Sequence, residues 1–292
     1  MNNWLLSRRK HLMYGIILLP LIVFGFYKNG IQLYNKGFIN IMGMFKPIIL
    51  IAMSVCGMIV GTLLKFYKKD SSISKKTIEK CKGDIIEAIL LAMVLPINSS
   101  PLIIFLITFL SGLFLEKRKF NRIALLYVII QGMNYLLGLD SFKNLYETST
   151  ILNYNGVDLF LGMGVGGICS TCILYILIGL VILSFNKLYK RDIAFTALIT
   201  FIILGCVPNM LRGDYQNIFN LIFGYNIFFV LVFIAPNPYS SSYTVKGQIL
   251  SGIIIGLLTY LITFITPFNA AMISVLIVNP LKGIIDRIFF IK

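Results

Sequence analysis

The feature that most constrains this chain is an alternation: ten apolar runs separated by short polar gaps, with lysine and arginine crowded into every second gap. The runs fall at about 13–27, 47–67, 84–96, 101–115, 122–138, 171–186, 193–208, 216–235, 247–265 and 270–289. A helical crossing of a bilayer needs about 20 apolar residues, and backbone exposed to lipid must satisfy its hydrogen bonds within its own segment. The pattern predicts an all-α integral membrane protein of about ten transmembrane helices. If all ten cross and the N-terminus is cytoplasmic, only Lys28, Lys36, Lys46, Lys143 and Arg212 of the 26 basic residues fall on the outer side. Cytoplasmic loops carry the excess of Lys and Arg, so both ends are expected in the cytoplasm.

Composition agrees and excludes several functions. Charged residues make up 13% of the chain, against roughly 25% in a soluble domain. The net charge of +15 sits in the gaps between apolar runs, so it reads as topology and contact with anionic lipid, not as a nucleic-acid face. His11 is the only histidine, which leaves no basis for histidine catalysis or a multi-histidine metal centre, and no metal site is expected. The first run follows Arg8-Arg9-Lys10 and leads into Tyr27-Lys28-Asn29-Gly30, with no small-residue cleavage site, so it is read as a retained helix.

The third run ends at Pro96-Ile97-Asn98-Ser99-Ser100-Pro101 and the eighth at Pro236-Asn237-Pro238-Tyr239-Ser240-Ser241, breaks too polar to face lipid. Pro96 precedes Leu110-Ser111-Gly112 by the spacing that separates Pro236 from Leu250-Ser251-Gly252, and Phe120-Asn121 is echoed by Phe268-Asn269. One polytopic domain over 1–292 follows, built as two inverted five-helix repeats with broken helices. The halves cover about 1–138 and 171–292, linked by an outer loop over 139–170. Inverted repeats with broken helices hold ligands or pathways near the bilayer midplane.

Smaller motifs carry two readings each. Asp84 and Glu87 share a face at the start of the third run; the helix dipole stabilises acids there, while Glu87 lies deep enough to serve an ion pathway. Asp286, between Lys282 and Arg287, is expected to pair at the interface. Cys169 and Cys172 form a CxxC; with no second pair and no nearby histidine a four-ligand site within the chain is not expected, which leaves a disulfide or a ligand pair shared with another subunit as the functional reading. The hydroxyl-rich and glycine-rich loop (Glu147-Thr148-Ser149-Thr150, then Gly162 to Gly167) is long enough to be functional.

Asp158-Leu159-Phe160-Leu161-Gly162, continuing through Gly166 and Ile168 to Thr171, Leu174, Leu177 and Gly179, resembles a segment of the RnfD/NqrB family. These are membrane subunits of Rnf electron transport complexes and of the sodium-translocating NADH:quinone oxidoreductase. Ala88 to Pro96, Phe120-Asn121, Lys246-Gly247-Gln248 and Asn279-Pro280-Leu281 agree in order. The departures are Cys169, Ser170 and Cys172, Asn237 where the family has an acid, and Leu115 to Lys119 where it has glycines. The resemblance implies a ten-helix subunit in a bacterial-type plasma membrane. It implies FMN on an outer-loop threonine, with other flavin- or Fe–S-carrying subunits as partners. In the family's attachment motif, Asn144 to Thr150 is the best register, with Thr150 as acceptor and Ser149 before it; Asn144 and Glu147 depart from it. Gly166, Thr171 and Asn237 then fall at expected cofactor contacts. With no NAD-binding or Fe–S motif, the chain is not expected to catalyse alone. A channel or transporter for a small solute, or a flavin-free accessory subunit, fits the same fold.

Overall fold

In the computed structural model, residues 3–69, 75–115, 120–139, 155–211, 213, 215–238 and 240–290 are described. Every regular element among them is helical. Four stretches, Met13–Asn35, Lys46–Tyr67, Arg191–Leu211 and Val245–Thr263, are long and apolar enough to cross a membrane. The protein is a helical membrane protein.

The helices fall into two compact units. Unit 1 holds α1 (Asn3–Phe26), α2 (Lys46–Lys69), α3 (Lys75–Val94), α4 (Pro101–Phe114) and α5 (Arg122–Leu136) from Leu126 onward, together with Gly167–Cys169. Unit 2 holds Asn121 and the first turn of α5, then α6 (Gly156–Phe160), α7 (Ile173–Ser184), α8 (Arg191–Leu211) and α9 (Tyr215–Phe223). It continues with α10 (Ile227–Phe229, running on as a π-helical turn Val230–Ile234), α11 (Val245–Thr263), α12 (Ala270–Val278) and α13 (Lys282–Phe290).

Within each unit the tightest helix pair is built on glycine. A Cβ on Gly57 of α2 would lie 2.5 Å from the Phe105 carbonyl of α4, and one on Gly112 would lie 2.8 Å from the Met58 carbonyl. In unit 2, a Cβ on Gly252 or Gly256 of α11 would lie 2.8 Å and 2.6 Å from the Ile193 and Ala197 carbonyls of α8. Lipid removes most of the hydrophobic drive between helices, so close backbone approach of this kind supplies the packing.

Four runs depart from their expected outline; the third belongs to a helix that begins at Lys75, which puts Asp84 and Glu87 past its first two turns and out of reach of the helix start. The first does not stop at 27: a π-helical turn, Tyr27–Ile31, carries the helix on to Asn35. The polar Asn29 is kept in place because its Nδ2 donates to the Ile168 carbonyl at 2.7 Å. The eighth is two helices, parted at Gly224-Tyr225-Asn226. The tenth is parted at Asn279–Leu281, a 3₁₀ turn containing Pro280.

Candidate functional site

Both polar breaks are where the sequence places them, and each raises the same problem. A helix that ends inside a bundle leaves backbone carbonyls without partners, and a buried orphan costs about 1–3 kcal/mol. In unit 1, α3 stops before Leu95-Pro96 because proline cannot continue a helix. The Met93 and Leu95 carbonyls accept from the backbone N–H groups of Cys169 and Ile168 at 3.0 and 2.9 Å. In unit 2 the π-helical turn stops before Ala235-Pro236. Here side chains supply the donors: Tyr189 Oη to the Val232 carbonyl and Asn121 Nδ2 to the Ile234 carbonyl, each at 2.8 Å.

Each break is also tied to a later helix by one asparagine. Asn134 Nδ2 of α5 donates to Ser99 Oγ in unit 1, and Asn279 Nδ2 donates to Ser240 Oγ in unit 2, both at 3.2 Å. The unit 2 break further carries a cation: Lys190 Nζ donates to the Ser241 and Ser242 carbonyls at 2.7 and 2.9 Å. Lys190 and Lys282 both lie over the exposed Tyr243 ring, 4.8 and 5.5 Å from its centroid. Asp286 is 7% exposed, and its hydrogen bonds come from Tyr243 and Thr244, not from the arginine beside it in sequence. Its carboxylate accepts from the backbone N–H groups of Tyr243 and Thr244 and from the Thr244 hydroxyl, at 3.0–3.3 Å. That seat holds Thr244, whose Oγ1 in turn accepts from the Gly247 N–H and caps α11.

The glycine-rich loop starts on a capped single turn. Asn155 and Asp158 form a reciprocal capping box on α6, and Gly162 closes its far end at φ +99, a conformation that only glycine adopts without cost. Thr171 Oγ1 donates to the Gly162 carbonyl at 2.8 Å. Ser170 Oγ donates to Asn226 Oδ1 at 2.7 Å, and a Cβ on Gly166 would meet Thr171 Cγ2 at 2.5 Å and Asn226 Oδ1 at 2.6 Å. Gly166 and Thr171 are thus brought together on Asn226, whose place in the mid-run break of the eighth apolar segment was the signal that sequence reading passed over. The space beside Gly166 is taken by Thr171 and Asn226, and these residues shape the loop. Asn237 lies past the other end of the intervening helix Ile227–Ile234, eleven residues after Asn226. Thr150 and Ser149, like Asn144 and Glu147, lie outside the described residues. Beside the chain's re-entry at Gly156, Phe160, Phe219, Phe223 and Phe228 form a group with ring centroids 5.7–6.1 Å apart, and Phe219 is 40% exposed.

On α3, Asp84 is fully buried and accepts from Thr62 Oγ1 at 3.0 Å, while Glu87 is 8% exposed. Cys169 and Cys172 are both buried thiols. Burial pushes the Cys169 thiol up to about 12, with Lys28 pulling weakly the other way. The thiol packs against Gly25 of α1, where a Cβ would lie 2.5 Å from the Ile168 carbonyl. Among the described residues, no cluster of three or more His, Cys, Asp or Glu could hold a metal.

One subunit of the Na(+)-translocating NADH-quinone reductase of Chromohalobacter salexigens is 32% identical over 146 residues, 47% of this chain and 35% of that protein. A subunit of the ion-translocating oxidoreductase complex of Haemophilus ducreyi is 28% identical over 163 residues, 54% of this chain and 46% of that protein. The similarity thus covers less than half the length of either relative. The model of the NQR2, RnfD, RnfE family matches residues 6–291, nearly the whole chain, and the protein belongs to that family.

Proposed function

We propose that the chain is the flavin-carrying membrane subunit of a complex that couples electron transfer to ion translocation. The observation that carries this reading is the family match over residues 6–291, joined by relatives named as subunits of such complexes. The proposed architecture is ten crossings with both ends cytoplasmic, arranged as two inverted five-helix repeats. Its supports are the distribution of Lys and Arg, the glycine-packed helix pair in each unit, and the matching Asn–Ser bonds at the two breaks.

FMN is proposed on Thr150, with Ser149 beside it. When bound, it would supply one- and two-electron chemistry that no side chain here offers. The chain's own part is structural: the Gly162–Thr171–Asn226 knot fixes the loop that follows the attachment segment, and the Phe219 group lies six or more residues further on as an apolar surface. Glu87 is proposed on the ion's route, since ionisable groups within apolar membrane helices mark ion pathways. Partner subunits would donate and accept the electrons, because this chain has no nicotinamide or Fe–S motif.

A solute channel or transporter on the same fold is favoured by one observation, the pair of polar helix breaks. The two readings part in one experiment. Protein purified from its native membrane, measured by in-gel flavin fluorescence and intact mass beside a Thr150→Val variant, is expected to carry one added FMN that the variant loses. An unmodified mass from native membrane would overturn the flavin reading and leave transport as the leading account.

A further inference from the structure

Three segments of unit 2 meet at one end of α11 and leave a positive surface there that the proposed function does not use. They are 187–192 leading into α8, 240–246 leading into α11, and 282–287 in α13. Lys190 Nζ donates to the Ser241 and Ser242 carbonyls, and Asp286 accepts from Tyr243 and Thr244, which ties the three together. They hold six basic residues against two acidic ones, Asp192 and Asp286. The Asp286 carboxylate is buried and taken up by backbone N–H groups and the Thr244 hydroxyl.

An aromatic ring lies at the centre of this surface. Tyr243 is 66% exposed, and the Lys190 and Lys282 ammonium groups lie over it, 4.8 and 5.5 Å from its centroid. The ring face attracts both cations, but the cations repel each other, and an anion beside them relieves that. Lys190 cannot swing away, because two carbonyls hold it. An apolar strip starts next to the ring. Val245, Ile249, Ile253, Leu257 and Leu261, every fourth residue of α11, are all exposed. They share one face and run about 24 Å from the charged end, more than one leaflet's half of a hydrocarbon core of about 30 Å. A ligand that matches both parts has an anionic head and a long apolar tail. An acidic protein segment or inorganic phosphate would meet the charge alone. Basic pockets at the ends of membrane helices take anionic lipid headgroups.

We propose that Lys190, Tyr243 and Lys282, with the exposed Lys246 at the rim, bind the phosphodiester headgroup of one anionic phospholipid, its acyl chain lying along the apolar strip of α11. The ammonium groups supply charge and the Tyr243 hydroxyl a donor to a phosphate oxygen. The site rests on the chain being a membrane protein and is independent of the flavin and translocation readings.

The test uses the purified chain, delipidated in a neutral detergent. Thermal unfolding is followed as phosphatidylglycerol, or phosphatidylcholine with the same acyl chains, is added. Phosphatidylglycerol should give a saturable rise in Tm that phosphatidylcholine does not, since a ligand bound only by the folded state stabilises it. Lys282→Gln should raise the half-saturating fraction about fivefold, the loss of one lysine near the surface. Tyr243→Leu should raise it about threefold by loosening both cations. Lys82→Gln removes an exposed charge from unit 1 and should leave it unchanged. If Lys282→Gln does not fold, Tyr243→Leu and Lys246→Gln decide, the latter expected to raise the midpoint about twofold. Equal response to the two lipids, or a Lys82→Gln midpoint moved as far as that of Lys282→Gln, overturns the site and leaves the diffuse attraction of a basic surface. A full response to sodium phosphate alone overturns the lipid and leaves a bare anion site. No response to any of the three overturns it too, and leaves the patch to an acidic protein segment.

Discussion

The two units solve the same problem with different materials. Each contains a helix that stops at a proline inside the bundle and strands its last carbonyls. Unit 1 covers them with backbone, the N–H groups of Ile168 and Cys169; unit 2 covers them with the side chains of Tyr189 and Asn121. A backbone donor tolerates sequence change, because any residue but proline provides it. A side-chain donor ties the function to one residue type. The unit 2 break should therefore be the more fragile to mutation. The unit 1 break, where Gln131 Nε2 and Asn134 Oδ1 have no partner among the described residues, should tolerate substitution better.

The largest effect is expected where the units are alike. Gly61 of α2 faces the Phe109 carbonyl, and Gly256 of α11 faces the Ala197 carbonyl. Neither neighbour can give way, since both are backbone. Gly61→Leu and Gly256→Leu should each destabilise by about 3 kcal/mol, read as unfolding in a detergent or SDS titration. A much smaller loss in one unit would show that its helix pair can part, and would break the likeness on which the repeat rests.

The next effect separates the units. Asn121→Leu strands the Ile234 carbonyl and also removes the acceptor for the Ala124 N–H at the start of α5. The combined cost should be about 2 kcal/mol. Tyr189→Phe strands the Val232 carbonyl and should cost about 1 kcal/mol. Both are read by the same unfolding titration. Cys169→Ser keeps the backbone donor to Met93 and should leave the unit 1 cap in place, seen as unchanged amide-exchange protection at Cys169. Comparable losses from Cys169→Ser and Asn121→Leu would erase the contrast.

Much of this frame could be read in the chain beforehand. Pro96 and Pro236 end their helices because a ring without an N–H must, and that is a local rule. The mid-run break at Gly224-Tyr225-Asn226 was hidden inside 20 apolar residues, because only tertiary bonds from Ser170 to Asn226 make the break worthwhile. The continuation of the first helix through Lys28-Asn29-Gly30 was missed for the same reason, the Asn29 bond to Ile168 being 139 residues away in sequence. Asp286 was expected among charges of its own helix, yet its carboxylate is also taken up by backbone donors 42 and 43 residues earlier. Periodicity reports what a residue is like, not which distant carbonyl it must serve. Of the candidate site, Gly166 and Thr171 were legible as a loop that needs glycine and hydroxyl, while the signal for Asn226, one short polar break inside a long apolar run, was passed over.

The smallest effect is the sharpest, because its sign differs between units. Replacing an unpaired buried amide by an apolar side chain of the same length removes an unmet desolvation cost, whereas replacing a paired one leaves its partner stranded. Gln131→Met should thus be neutral or stabilising by up to about 1 kcal/mol. Asn279→Leu, which takes the donor from Ser240 Oγ in the closed break, should destabilise by about 1 kcal/mol. If both variants lose stability equally in the same unfolding titration, Gln131 has a partner of its own in the folded chain. The two breaks would then be equally closed, and the difference between the units would reduce to backbone against side-chain capping.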